Sequence, residues 1–283
     1  MRTLLQSSQI QFPDMTKATV KVLAVGCVNL FLLLNSPAMA TSIVIQVDRD
    51  RILIAADTRG GKLNPSSKLF EEAECKIIPL GNAAFTVTGN VDYTQNQPND
   101  SISSWDARTD AREAYAEQHG DLLATADNWA IRAKRHFLSF YLANPGRVKQ
   151  LAQANDQNIL LAGFFLGFQD GKAVLLARLI YLDEHTSSCI LDKQVAYPAR
   201  DAPYSSHGIT QELIDGHSER AHAANADWQK KLPSIPADSQ AFRRMEFLIQ
   251  VTSTLDDTVG MRVNILEIFP TEKARWLQNL TCK

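Results

Sequence analysis

Four cysteines in 283 residues are too few for a fold built on disulfides. The N-terminal apolar stretch VLAVGCVNLFLLL (22–34) has 13 residues, short of the ~20 that a membrane-spanning helix needs. A net charge of −2, with no Lys/Arg cluster beside it, leaves no electrostatic footprint for nucleic acid. The six histidines (119, 136, 185, 207, 217 and 222) have no metal-ligand spacing. The nearest pair, His217 and His222, lies five apart and so falls poorly on one helical face. No metal or other cofactor is therefore expected. What remains is ordinary for a soluble globular protein: 45% hydrophobic and 21% charged residues, with no segment that reads as an interdomain linker.

The first 40 residues depart from that average. Lys17 and Lys21 precede the apolar stretch, and Pro37 and the small-x-small triplet Ala38-Met39-Ala40 follow it. This is the pattern of a secretory signal over residues 1–40, predicting an exported protein, periplasmic or secreted. A start at Met15 would give the basic leader its usual length, and a lipid-modified Cys27 in LAVGC is a weaker rival. A cut after Ala40 leaves one domain over 41–283 and three cysteines, Cys75, Cys189 and Cys282. An odd number permits at most one intramolecular disulfide, and the sequence does not choose the pair.

Along the rest of the chain, TSIVIQV (41–47) and RILIAAD (51–57) predict a hairpin, as do CKIIPL (75–80) and AAFTVTG (83–89) around Gly81-Asn82. The polar stretch 90–104 reads as a loop. Residues 105–143 carry apolar positions at helical spacing and stop at Asn144-Pro145-Gly146. Two strands follow, 158–168 and 172–182, turning at Asp170-Gly171, with DEHTSS (183–188) as a solvated loop. Residues 209–231 and 239–255 read as helical, MRVNILEIF (261–269) as a last strand and the remainder as a charged tail. Hairpins interleaved with helix pairs predict an α+β chain with two antiparallel sheets face to face and helices outside.

The predicted cut makes Thr41 an N-terminal residue. A threonine hydroxyl is a poor nucleophile until a base takes its proton, and at a chain start its own α-amine can be that base. The free amine has a pKa of about 7.7–8.0, and a nearby ammonium would favour its neutral form further. A carboxylate would hold that ammonium in place.

The stretch TSIVIQVDRDRILIAADTR resembles the opening of β-type proteasome subunits and their bacterial single-ring relatives, members of the N-terminal-nucleophile hydrolases. Asp57, in AADTR, lies sixteen residues after Thr41; Lys76-Ile77 matches a Lys-Ile motif; Gly89 in FTVTGN ends the following strand. Near the C-terminus Asp256-Asp257-Thr258-Val259-Gly260 matches Asp-x-x-Ser-Gly, with Val259 in place of the serine. The resemblance implies a four-layer αββα sandwich and a division of labour. Thr41 attacks, Lys76 tunes its amine, Asp57 holds Lys76, the Gly89 N–H takes the oxyanion and Asp256 supports the Thr41 end. A further serine falls within YSSHG (204–208), where Ser205, Ser206 and His207 all qualify and Ser206 is preferred. By position Glu74 and Val87 face the substrate side chain, Glu74 favouring a basic one. Relatives form rings, so a homo-oligomer or ring is open. ATP is scarce outside the cytoplasm, so no ATPase partner is expected.

Taken singly these residues are ordinary: a strand-opening threonine, a strand-end aspartate, a strand-edge lysine and a turn glycine. Only their joint spacing, beside a predicted cut, points to a threonine-type peptidase. Two rivals stand beside it: an amidase for a small non-peptide amide, and a non-catalytic binding or structural homologue.

Overall fold

The computed structural model describes residues 42–48, 50–63, 70–72, 74–89, 92–96, 102–153, 158–185, 190–197, 226, 230–255 and 259–282. The predicted signal segment, Thr41, YSSHG and Asp256 lie outside them.

The described chain is α+β, built on two antiparallel sheets. The first joins β1 (Ile43–Val47), β2 (Ile52–Asp57), β12 (Val263–Ile268) and β13 (Arg275–Gln278), in the order β1-β2-β12-β13. The second has the order β11-β10-β9-β6-β5, from β5 (Ile77–Leu80), β6 (Ala83–Gly89), β9 (Ile159–Gln169), β10 (Lys172–Leu182) and β11 (Ile190–Tyr197). Both expected hairpins form: Ile43 pairs with Ala56, and Ile77 with Thr86. Two further hairpins, β3 (Arg59–Leu63) with β4 (Phe70–Glu72) and β7 (Asp92–Asn96) with β8 (Ile102–Asp106), stand outside these sheets.

Alternation along the strands divides the interior into three packed regions. Ile43 and Ile45 of β1, Ile52 and Ile54 of β2, and Phe164 and Leu166 of β9 fill the space between the sheets. Val44, Leu53, Ala55 and Ile265, on the other face of the first sheet, pack against Met245, Leu248 and Ile249 of a helix at Ala237–Leu255 (here α4). Across the molecule Phe85, Leu160 and Phe165 of the second sheet meet Trp129 and Phe137 of α2 (Leu122–Ala143), together with residues of α1 (Ala107–Glu117) and α3 (Pro145–Gln153). Asp106 and Asp121 cap α1 and α2 by accepting from the N–H groups of Arg108 and Ala124.

Three expectations are corrected or extended. The polar stretch read as a loop contains β7 and β8, whose pairing is anchored by Trp105: its ring is buried against the helices and its Nε1 donates to Asp110 at 2.7 Å. α2 ends at Ala143 with Asn144 as its C-cap, as expected, but Pro145 then opens a further helix, α3, at a position where its missing N–H costs nothing. The charged tail holds an edge strand, β13, with Arg275 directly across from Glu267 and bonded to it at 2.8 Å. β11 was likewise not foreseen; its polar face carries Asp192, which pairs with Arg178 and Lys134.

Candidate active site

β2 ends on Asp57, whose carboxylate is completely buried. An unpaired buried carboxylate would be expensive, and this one is heavily compensated. Lys76 Nζ donates to Oδ1 at 2.9 Å and to Oδ2 at 3.0 Å, and Lys76 itself is 4% exposed. Three backbone N–H groups from separate parts of the chain also converge: Ser42 on Oδ1 at 2.9 Å, and Arg59 and Gly260 on Oδ2 at 3.2 and 3.0 Å. Asp57 thus ties β1, the exit of β2, the approach to β12 and the approach to β5 to one point.

The link to Ser42 is reciprocal, since Asp57 N–H donates to the Ser42 carbonyl at 3.1 Å. The backbone one residue after Thr41 is therefore held on both sides by the residue that holds Lys76.

Gly260 must be glycine for space. A Cβ there would lie 2.9 Å from both the Cβ and the backbone N of Arg59, displacing one of the N–H donors to Asp57. Val259 beside it is buried among the side chains that cover the α4 side of the first sheet.

Gly89 ends β6, the partner strand of β5. Its φ of +95° is strained for any L side chain, and a Cβ would come within 2.7 Å of the Leu160 carbonyl oxygen. Thr86, on the same strand, donates from Oγ1 to the Lys76 carbonyl at 2.9 Å and fixes the backbone from which the lysine projects.

The two residues expected at a substrate side chain have other engagements. Glu74 accepts from Arg108 Nη1 at 2.6 Å, and Arg108 also bonds both oxygens of Asp106. Hydrogen bonds from the Arg108 side chain and backbone hold the Asp106 carboxyl below its ordinary pKa, against the upward pull of burial. Val87 is fully buried in the cluster between the second sheet and the helices.

Arg59 and Gly260 fall inside the matched motifs, but the motifs do not show how these residues act. Ser42, Arg59 and Gly260 act through backbone N–H groups, which leave no residue-type signature. Cys75 forms a disulfide with Cys282, 207 residues away. That pair was one of three possible ones, and neither cysteine has a sequence neighbour that selects the other.

No family model matches the chain. A protein called glycoprotein U23, from human herpesvirus 6A (strain Uganda-1102), is 31% identical over 75 residues. That match covers 25% of this chain and 32% of the glycoprotein. No helix among the described residues is long and apolar enough to cross a membrane.

Proposed function

We propose that the chain is an exported threonine-type N-terminal-nucleophile hydrolase, of four-layer αββα architecture, that cleaves amide bonds, peptides foremost. One observation carries the reading: a buried Lys76–Asp57 pair whose carboxylate is hydrogen-bonded to the backbone of Ser42, the residue after Thr41. A buried ion pair is a poor device for stability, since hydrophobic residues of the same volume serve as well or better. It is a good device for holding a positive charge beside a chain start.

The Thr41 α-amine takes the Oγ proton as Oγ attacks the substrate carbonyl. Lys76⁺ keeps that amine neutral by like-charge repulsion, and the Gly89 N–H receives the oxyanion. The amine then passes its proton to the leaving nitrogen, leaving an ester on Thr41. Water, with the same amine as base, hydrolyses the ester. Because Arg108 occupies Glu74, a basic substrate side chain would have to displace an existing ion pair, which removes the reason to expect basic specificity.

Two further observations fit export. A disulfide persists in oxidising compartments, and the herpesvirus relative is named a glycoprotein. Signal cleavage after Ala40 would then expose the nucleophile, making export and activation one event.

The deciding experiment combines N-terminal mass spectrometry of the exported protein with an epoxyketone probe. A mature chain that starts at Thr41 and labels, with labelling lost in Thr41→Ala, is expected. A chain that starts elsewhere, or does not label, overturns the reading. Libraries of peptides and of small acyl amides separate peptidase from amidase. Val259, a buried alkyl group in place of a hydroxyl, favours one rival, a fold kept for binding without catalysis; absence of labelling would select it.

A further inference from the structure

Lys76 is carried by a short segment, Glu74–Lys76, that precedes β5 and belongs to no strand. Something must fix it, because its lysine has to meet a buried carboxylate. The Glu74 N–H donates to the Thr58 carbonyl at 2.9 Å. The Glu74 carbonyl accepts from Thr281 Oγ1 at 3.0 Å, and the Cys75 carbonyl from Arg108 Nη1 at 3.3 Å. The covalent tie is Cys75–Cys282.

Two of these ties come from the extreme C-terminus, which is itself held. Asn264, buried on β12, donates to Thr281 Oγ1 at 2.6 Å and accepts from the Leu280 N–H at 2.7 Å. Asn279 exchanges hydrogen bonds with the Cys282 backbone at 2.7 and 2.8 Å. The approach to β12 supplies the Gly260 N–H that holds Asp57. Both partners of the buried ion pair are thus referenced to β12, Asp57 directly and Lys76 through residues 279–282 and the disulfide.

We propose that Cys75–Cys282, with the Thr281–Asn264 strap, positions Lys76, and that reducing the disulfide releases the lysine from Asp57. The catalytic consequence rests on the threonine-nucleophile reading above; the positional one does not. In the reduction a dithiol reductant supplies two electrons and two protons. The Sγ–Sγ bond breaks to give two thiols, while the reductant closes to its own disulfide. The segment then keeps its hydrogen bonds, the one from Thr86 to the Lys76 carbonyl among them, and the Glu74–Arg108 ion pair, but no covalent tie. On the threonine-nucleophile reading, the Thr41 amine would then lose the fixed ammonium of Lys76, and its proton affinity would rise. A chain still in a reducing compartment would lack an ordered site even if it were cut early.

Nitrogen-15 lysine NMR tests the position directly. The Lys76 ammonium, identified by its loss in Lys76→Arg, should exchange slowly in the oxidised protein. It should broaden or vanish after dithiothreitol, and in Cys75→Ser/Cys282→Ser, while buried amides of β9 and β10 keep their protection. Thr281→Val, which leaves the disulfide intact, should give an intermediate effect and serves if the double variant does not fold. The acid limb of kcat/KM should also move up by about one pH unit, lowering turnover on that limb about tenfold. A structural disulfide alone would reduce the amount of active protein and leave the limb in place. An unchanged Lys76 signal in reduced, folded protein overturns the proposal. If wild type neither labels nor hydrolyses, the function reading falls, and the NMR result still decides the positioning.

Discussion

Lys76 donates to both carboxylate oxygens of Asp57, at 2.9 and 3.0 Å, with neither side chain reaching solvent to any useful extent. Each residue satisfies the other's charge, and neither would be tolerable alone in that position. Three backbone N–H groups complete the shell of Asp57, so the pair is fixed in orientation as well as in charge. Such a shell restricts how β1, β2, β5 and β12 can be placed relative to one another.

Removing one partner strands the other. Lys76→Met and Asp57→Leu should each cost about 3–5 kcal/mol, because an uncompensated buried charge remains. The double replacement should cost clearly less than the sum. Urea denaturation of the four proteins checks this, and additive losses would contradict the coupling. Epoxyketone labelling at Thr41 should be lost in all three variants.

Gly260→Ala places a methyl 2.9 Å from Arg59 Cβ and N. The backbone of Arg59 must give way, weakening its N–H bond to Asp57. A loss of about 1–3 kcal/mol is expected, typical of overpacking, together with faster exchange of the Arg59 amide. Gly89→Ala meets both a positive φ and the Leu160 carbonyl, and should reduce hydrolysis further than it reduces stability.

The Cys75–Cys282 bond closes residues 75–282 into one loop. Cys75→Ser/Cys282→Ser should lower stability by about 2–5 kcal/mol, read as a drop in denaturation midpoint. Non-reducing peptide mapping should find Cys75 joined to Cys282, with Cys189 free to alkylate.

His136 gives a pH dependence of known sign. Burial holds its imidazole below the ordinary 6.5; Asp110 pulls the other way, and Arg135 and Arg132 add to the depression. The unfolded chain therefore takes up this proton first as pH falls below about 6.5, and the folded state loses stability there. The loss should be absent above that pH. In His136→Gln the stability profile should be flatter between pH 5 and 7, measured by urea midpoints; an identical slope in both proteins would contradict the assignment.

Much of the scaffold was legible because the local signals agreed with one another. The hairpins at 43–57, 77–89 and 159–182 combine apolar, strand-favouring runs with turn residues, and α2 carries apolar positions at helical spacing. β7, β8 and β13 were not legible. Their residues are mostly polar, and they pair where β8 inserts Trp105 into a core built by distant helices and where β12 offers Glu267 to Arg275.

The sequence by itself determined the residue types and spacing around Thr41: an aspartate sixteen positions on, a lysine at 76, a strand-ending glycine at 89 and a small-x-small triplet just before. Only the tertiary structure decided how Asp57 is compensated, because backbone N–H groups are the same in every residue and their convergence depends on where four segments meet. It also decided that Cys75 pairs with Cys282 and that Glu74 belongs to Arg108. Those partners lie 207 and 34 positions apart, and no local preference reaches so far along a chain.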